Sequence, residues 1–275
     1  MSDPLDALDA IGRLPDREID IAGAALQLAR VDAPDADWKA AEAHLSDIAR
    51  RVVALAAGLP ADTPEARARV LAGLLHRDFG YGGDADTYDD LANANLIRVI
   101  ERRKGLPVAL GILWLHAARA AGWALHGVDF PGHFLIALEG GGGKLTVDAF
   151  SGGQPMDARD LRALIKRVEG EKAELRPGLM RPMSTRSVLL RLQNNILTRR
   201  AGSDDLKGAL AACENMLRIA PKQSDLWRRA AVMNQRLDRV GAALSCFERC
   251  LELTPEGEAA ERIRAAIDDL RMRLN

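Results

Sequence analysis

Residues 108–121, VALGILWLHAARAA, are apolar on nearly every helical face until Arg119. A helix without a polar face has to be enclosed on all sides, so this one predicts the middle of a domain. Its ends are punctuated. Pro107 suits a first helical turn, where its missing N–H is not needed, and Gly122 suits a stop. The preceding stretch, Leu91–Lys104, predicts another helix. Arg102, Arg103 and Lys104 there meet the negative end of the helix dipole, and Gly105 fits the left-handed position after it.

Elements on either side complete a mixed fold. Upstream, Ile19–Ala29 and Trp38–Leu59 predict helices, and Thr63-Pro64-Glu65 predicts a capped helix running to about Leu75. Phe79–Thr87 is a glycine-rich loop. Downstream, Ala124–Phe130, Phe134–Glu139 and Lys144–Phe150 are short, partly alternating segments that predict strands. Gly140–Gly143 would join the last two as a hairpin. Asp157 predicts the cap of a helix reaching Glu169. Glu171–Ser184, with Pro177, Gly178 and Pro182, predicts a linker or strap.

From Thr185 onward the pattern is helical and repeats. Ala209/Ala243, Cys213/Phe247, Met216/Cys250 and Pro221/Pro255 are each 34 residues apart. That period, with small residues inside a helix pair and a closing proline, resembles tetratricopeptide repeats. Ser224–Pro255 is the better unit. Leu190–Pro221 is degenerate, with Gln193 in place of the usual tryptophan, and Glu258–Leu274 would close the array. Two domains are expected, residues 1–184 and 185–275.

Lys+Arg number 38 against 39 Asp+Glu, with 48% apolar residues. Such a balance disfavours a nucleic-acid binder that works by charge. No apolar run reaches the ~18–20 residues of a membrane span, and the acidic start MSDPLDALDA does not have the order of a signal peptide. A cytoplasmic protein without membrane contact is expected. The three cysteines, Cys213, Cys246 and Cys250, all lie beyond residue 200, and an odd count without a secretion signal argues against a disulfide framework.

Several motifs together resemble the SirB-like family of bacterial proteins, which joins a transglutaminase-like domain to tetratricopeptide repeats. They are Asn93-Ala94-x-Leu96, Arg103-x-Gly105-x-Pro107, Pro131-Gly132-His133-Phe134-Leu135 and Asp148-x-Phe150-x-x-Gly153. The resemblance covers about Ile19 to Pro255; position 94 departs mildly, with Ala where Ser is common. It implies an α+β chain: a helix-rich, papain-like transglutaminase-like domain with a small antiparallel sheet, then all-α repeats. In enzymes of that fold a cysteine opens the buried helix, a histidine begins one strand and an aspartate lies on the next. The helix dipole and the imidazole lower the thiol pKa, and the carboxylate orients the imidazole. The resemblance puts the histidine at His133, the aspartate at Asp148 and the nucleophile on or beside Pro107. Residues 1–212 contain no cysteine, so a thiol mechanism has no nucleophile.

Other chemistries have weaker support. Ser151 is more simply a turn residue than a nucleophile. His126, Asp129 and His133 do not have zinc-ligand spacing, and strand alternation separates their side chains. No metal or cofactor is expected. Gly140–Lys144 is not a phosphate loop, because Leu145 follows the lysine and the loop joins strands. Arg98, Arg102, Arg103 and Lys104 form a basic run that is more simply a solvated helix end than an anion site. By resemblance to repeat proteins, Arg191, Asn194, Arg228, Gln235 and Arg236 could line a peptide-binding groove. The expected function is a non-catalytic adaptor with a protein or peptide partner. The alternative is a hydrolase or transferase that uses His133 and Asp148 as a general-base dyad.

Overall fold

The computed structural model describes residues 3–59 and 61–274. It divides into two compact units, one of residues 15–192 and one of residues 193–274 together with 3–14.

Helix α1 (Pro4–Arg13) belongs to the second unit; the helices of the first are α2 (Ile21–Asp32), α3 (Trp38–Ala57), α4 (Pro64–Ala72), α5 (Leu96–Arg102), α6 (Pro107–Ala120) and α7 (Ala158–Glu169). Caps set the starts. Asp20, Asp37, Thr63 and Asn95 each accept a backbone N–H of the first turn. Asp157 and Asp160 form a reciprocal capping box at α7. Helix α4 runs on as a π-helical segment, Gly73–Asp78. Helix α6 is buried along most of its length, from Pro107 to Ala118, and packs against α2, α3 and the sheet. His116, inside it, is satisfied by the Leu45 carbonyl at 2.9 Å.

Strands β1 (Gly82–Gly83) and β2 (Lys104–Gly105) pair in parallel. Strands β3 (Leu125–Phe130), β4 (His133–Gly140), β5 (Gly143–Asp148) and β6 (Gln154–Pro155) form an antiparallel meander. Gly141 and Gly142, both at positive φ, make the two-residue hairpin between β4 and β5. Strand β4 is buried on both faces. Phe134 points at α6, and a Cβ on Gly111 of α6 or on Gly127 of β3 would run into its ring. Leu135 and Ala137 point the other way and join Val128, Phe130, Leu161 and Ile165 in a core beneath α7.

The end of α5 corrects the expected glycine cap. Arg103, not Gly105, takes the left-handed conformation, with φ 59°. Arg103 is held there by its side chain, which donates to His44 and the Tyr81 hydroxyl and lies over the Tyr81 ring at 4.9 Å. Burial and the Arg103 charge push the His44 imidazole down to about 4, so it stays a neutral acceptor. Gly105 serves close packing: a Cβ there would sit 2.9 Å from Val99.

In the second unit α8 (Thr185–Gly202), which the unit boundary cuts, is followed by α9 (Leu206–Ile219), α10 (Ser224–Arg236), α11 (Val240–Leu253) and α12 (Glu258–Leu274). The 34-residue pairs share burial: Ala209 and Ala243, Cys213 and Phe247, Met216 and Cys250 are all buried. Asp204 and Asp238, also 34 apart, both take left-handed turns between paired helices. Helix α1 packs on α9, with Leu8 buried and Asp9 bound to Arg218 at 2.7 Å.

The Phe134 seat gives a stability prediction. Gly111→Ala or Gly127→Ala overpacks it and should lower unfolding free energy by about 1–3 kcal/mol. Urea unfolding of each variant checks this; a change within ~0.5 kcal/mol, the usual range of a neutral surface change, would mean that the ring is not wedged there.

Candidate functional site

His133 is the first residue of β4 and Asp148 the last of β5. The antiparallel register places Ile136 opposite Val147, so Asp148 falls diagonally across from His133 on the face shared with Leu135. His133 Nε2 and Asp148 Oδ1 are 3.0 Å apart. The same carboxylate accepts the Phe150 N–H at 2.9 Å on Oδ1 and the Ser151 hydroxyl at 2.8 Å on Oδ2. Burial pushes the Asp148 pKa up, but the bonds from His133, Ser151 and Phe150 outweigh it and hold the carboxyl below its ordinary range. An ionised carboxylate only accepts. The Nε2 proton is therefore assigned to the His133 side of the bond, and Nδ1 has no hydrogen-bond partner among the described residues.

The pair lines a cleft of about 510 Å³. Its walls come from the loop residues Ala85 and Tyr88, from Phe150–Met156 of the turn after β5, and from α7. Phe150 meets His133 edge-on at 6.2 Å and Tyr88 at 5.9 Å between centroids. Its carbonyl accepts from the Gly83 N–H at 3.0 Å, which ties the glycine-rich loop to the site. That loop is braced from within. Asp84, fully buried, accepts from the Thr87 backbone and hydroxyl and from Arg102 at 2.7 Å. Asn93 accepts from Arg102 at 3.1 Å and donates to the Thr87 carbonyl. Pro107 is buried at the first position of α6, and the Leu106 N–H before it binds the Asn93 carbonyl.

Other residues singled out in the sequence have separate roles. Ser151 gives its proton to Asp148, so it does not form a nucleophile–base pair with His133. His126 lies 3.9 Å from Glu139, Asp129 pairs with Arg191, and His133 pairs with Asp148, so three partners divide what spacing alone might group. The basic run is consumed internally: Arg98 by Glu101, Arg102 by Asp84, Arg103 by His44 and Tyr81, and Lys104 by Asp86.

Of the five residues expected in a repeat groove, Arg191 lies on α8, just before the boundary between the units. It belongs to the first unit, pairs with Asp129, lies over the Phe134 ring at 5.8 Å and donates to the His133 carbonyl at 2.7 Å. Repeat register carries no sign of these contacts, whose partners are about sixty positions away in sequence. Asn194 is occupied by Arg229 at 3.0 Å. On α10, Gln235 is half-buried, whereas Arg228, bound to Asp225 at 2.5 Å, and Arg236 are exposed. The three thiols pack among the repeat helices, and burial pushes Cys213 up to about 12 and Cys246 and Cys250 above their ordinary range.

Comparison with known proteins gives this arrangement its family. The transglutaminase-like superfamily matches residues 39–194, more than half of the chain and all of the site. The chain belongs to the transglutaminase-like superfamily. The tetratricopeptide repeat family matches residues 196–268. A UPF0162 protein of Xylella fastidiosa is 33% identical over 199 residues, covering 71% of each chain. F-box only protein 21 of Homo sapiens is 27% identical over 141 residues, covering 48% of this chain and 22% of that protein. Among solved structures, menin has a TM-score of 0.43 at 12% identity, covering 92% of this chain and 70% of that one. The combination that the SirB-like resemblance implied, transglutaminase-like unit then repeats, is what these matches show.

The transglutaminase-like site carries a pH dependence. Asp148 has a lower pKa folded than unfolded, so its contribution to stability is present above about pH 4 and is lost as pH falls through the folded value. Urea midpoints measured from pH 6 down to pH 3 should fall less steeply for Asp148→Asn than for the unaltered protein below pH 4. Parallel profiles would show that the carboxylate is not held as described.

Proposed function

We propose that this transglutaminase-like protein is a cytoplasmic, non-catalytic adaptor that holds a protein or peptide partner. The observation that carries the reading is a maintained dyad without a nucleophile. His133 is fixed by Asp148 at 3.0 Å, the neighbouring Ser151 hydroxyl is turned to the carboxylate, and residues 1–212 contain no cysteine. An oriented imidazole without a thiol has no group to attack an acyl carbon through the family's covalent route.

Tetratricopeptide repeats generally mediate protein interaction, and α10 offers a surface for it. Arg228, Val232 and Arg236 follow one another at i, i+4 and i+8 and are all exposed, Val232 at 40%. Two cations around an apolar centre suit an acidic segment carrying one apolar residue. The alternative, a general-base hydrolase or transferase, is favoured by one feature: the unpartnered Nδ1 of His133 beside an open cleft.

A pull-down from native cell extract with the intact protein, Arg228→Glu/Arg236→Glu and His133→Ala separates the two. The adaptor predicts a partner retained by His133→Ala and reduced about tenfold or more by the charge reversal, a loss equivalent to ~1.4 kcal/mol. A partner held equally by the charge-reversed protein overturns the proposed surface. A captured molecule that the intact protein converts and His133→Ala does not would establish the enzyme instead.

A further inference from the structure

Helix α7 contributes Asp160, Ala163, Leu164 and Arg167 to the cleft wall. These positions are i, i+3, i+4 and i+7, a single stripe of an α-helix. The charges at its ends are opposite in sign. They stand seven residues apart, about 10 Å along the axis at ~1.5 Å per residue. The ground between them is apolar.

Of the charged residues on α7, only Asp160 and Arg167 line the cleft. Arg162 and Lys166 both approach Glu174, and Glu169 is held by Arg176 at 2.7 Å. Arg167 has no carboxylate partner among the described residues. Asp160 spends Oδ2 on the Asp157 N–H at 3.1 Å, which leaves Oδ1. The cleft's other carboxylate, Asp148, has both oxygens engaged. A ligand entering here therefore meets a negative group at one end, a positive group at the other, and His133 and Tyr88 along the same wall system.

We infer that this cleft binds a short free peptide of about three residues as a zwitterion. Arg167 receives the terminal carboxylate, Asp160 the terminal ammonium, and the middle residue lies over Ala163 and Leu164. An extended chain rises ~3.3 Å per residue, so three residues match the ~10 Å between the charges. The cleft's volume of about 510 Å³ is in the range of small-molecule sites. The inference concerns the cleft alone and does not depend on the α10 surface, whose residues lie outside it.

Calorimetric titration with Ala-Leu-Ala, its N-acetyl and C-amide forms, and Ala-Ala tests it. The uncapped tripeptide should bind best, and each cap should weaken it about tenfold, the scale of one charge-assisted contact. In Arg167→Gln, an exposed substitution, the acid and amide forms should bind equally while the N-acetyl penalty remains. Equal binding of capped and uncapped forms, a C-amide penalty that survives Arg167→Gln, or no binding of the tripeptide at millimolar concentration overturns the inference. Any of these would leave the repeat-surface reading standing.

Discussion

The seating of Phe134 fixes the relation between the sheet and the central helix of the first unit. Its ring occupies space that only glycine leaves at both Gly111 on α6 and Gly127 on β3. A fully apolar helix must be covered, and this contact sets which strand covers it and in what register. Alternation along β4 then decides the next residue. With Phe134 turned to α6, His133 falls on the opposite face with Leu135 and Ala137, toward the core under α7. The position of the imidazole is thus a consequence of packing one residue away. Arg191 adds to it by lying over the Phe134 ring while binding the His133 carbonyl.

Asp148 then converts position into chemistry. Three donors converge on one buried carboxylate, so the group stays ionised despite its burial. A buried polar cluster of this kind is stable only while each member is satisfied, and loss of one leaves the others in low dielectric without partners. That gives the dyad a structural reason to persist independently of turnover. The cluster borders a cleft in the unit that matches the transglutaminase-like superfamily, and Pro107 opens the central helix of that unit. The structure thus joins a cleft with an oriented imidazole to a chain that also carries tetratricopeptide repeats.

Local signals made much of this legible in the sequence. The apolar run of α6, the alternation of the strands, Gly140–Gly143 and the Asp157 cap are set by near neighbours, and the 34-residue period is a spacing read directly from residue types. Features decided by distant partners were not legible. Arg103 looks like an ordinary basic helix end, and its left-handed backbone depends on His44, Phe79 and Tyr81. Arg191 sits in repeat register, yet its partners Asp129 and His133 are about sixty positions away in sequence. Nothing in the sequence of Pro4–Arg13 announces its packing on α9, because an amphipathic helix does not specify which apolar face it will cover.

Asp148 holds His133 as a fixed N–H donor at 3.0 Å. Proton–nitrogen NMR of the imidazole, comparing the intact protein with Asp148→Ala at neutral pH, probes that bond. The intact protein should show a slowly exchanging, downfield His133 Nε2–H resonance that disappears in the variant. A resonance that is absent from the intact protein, or is unchanged when Asp148 is removed, would contradict it.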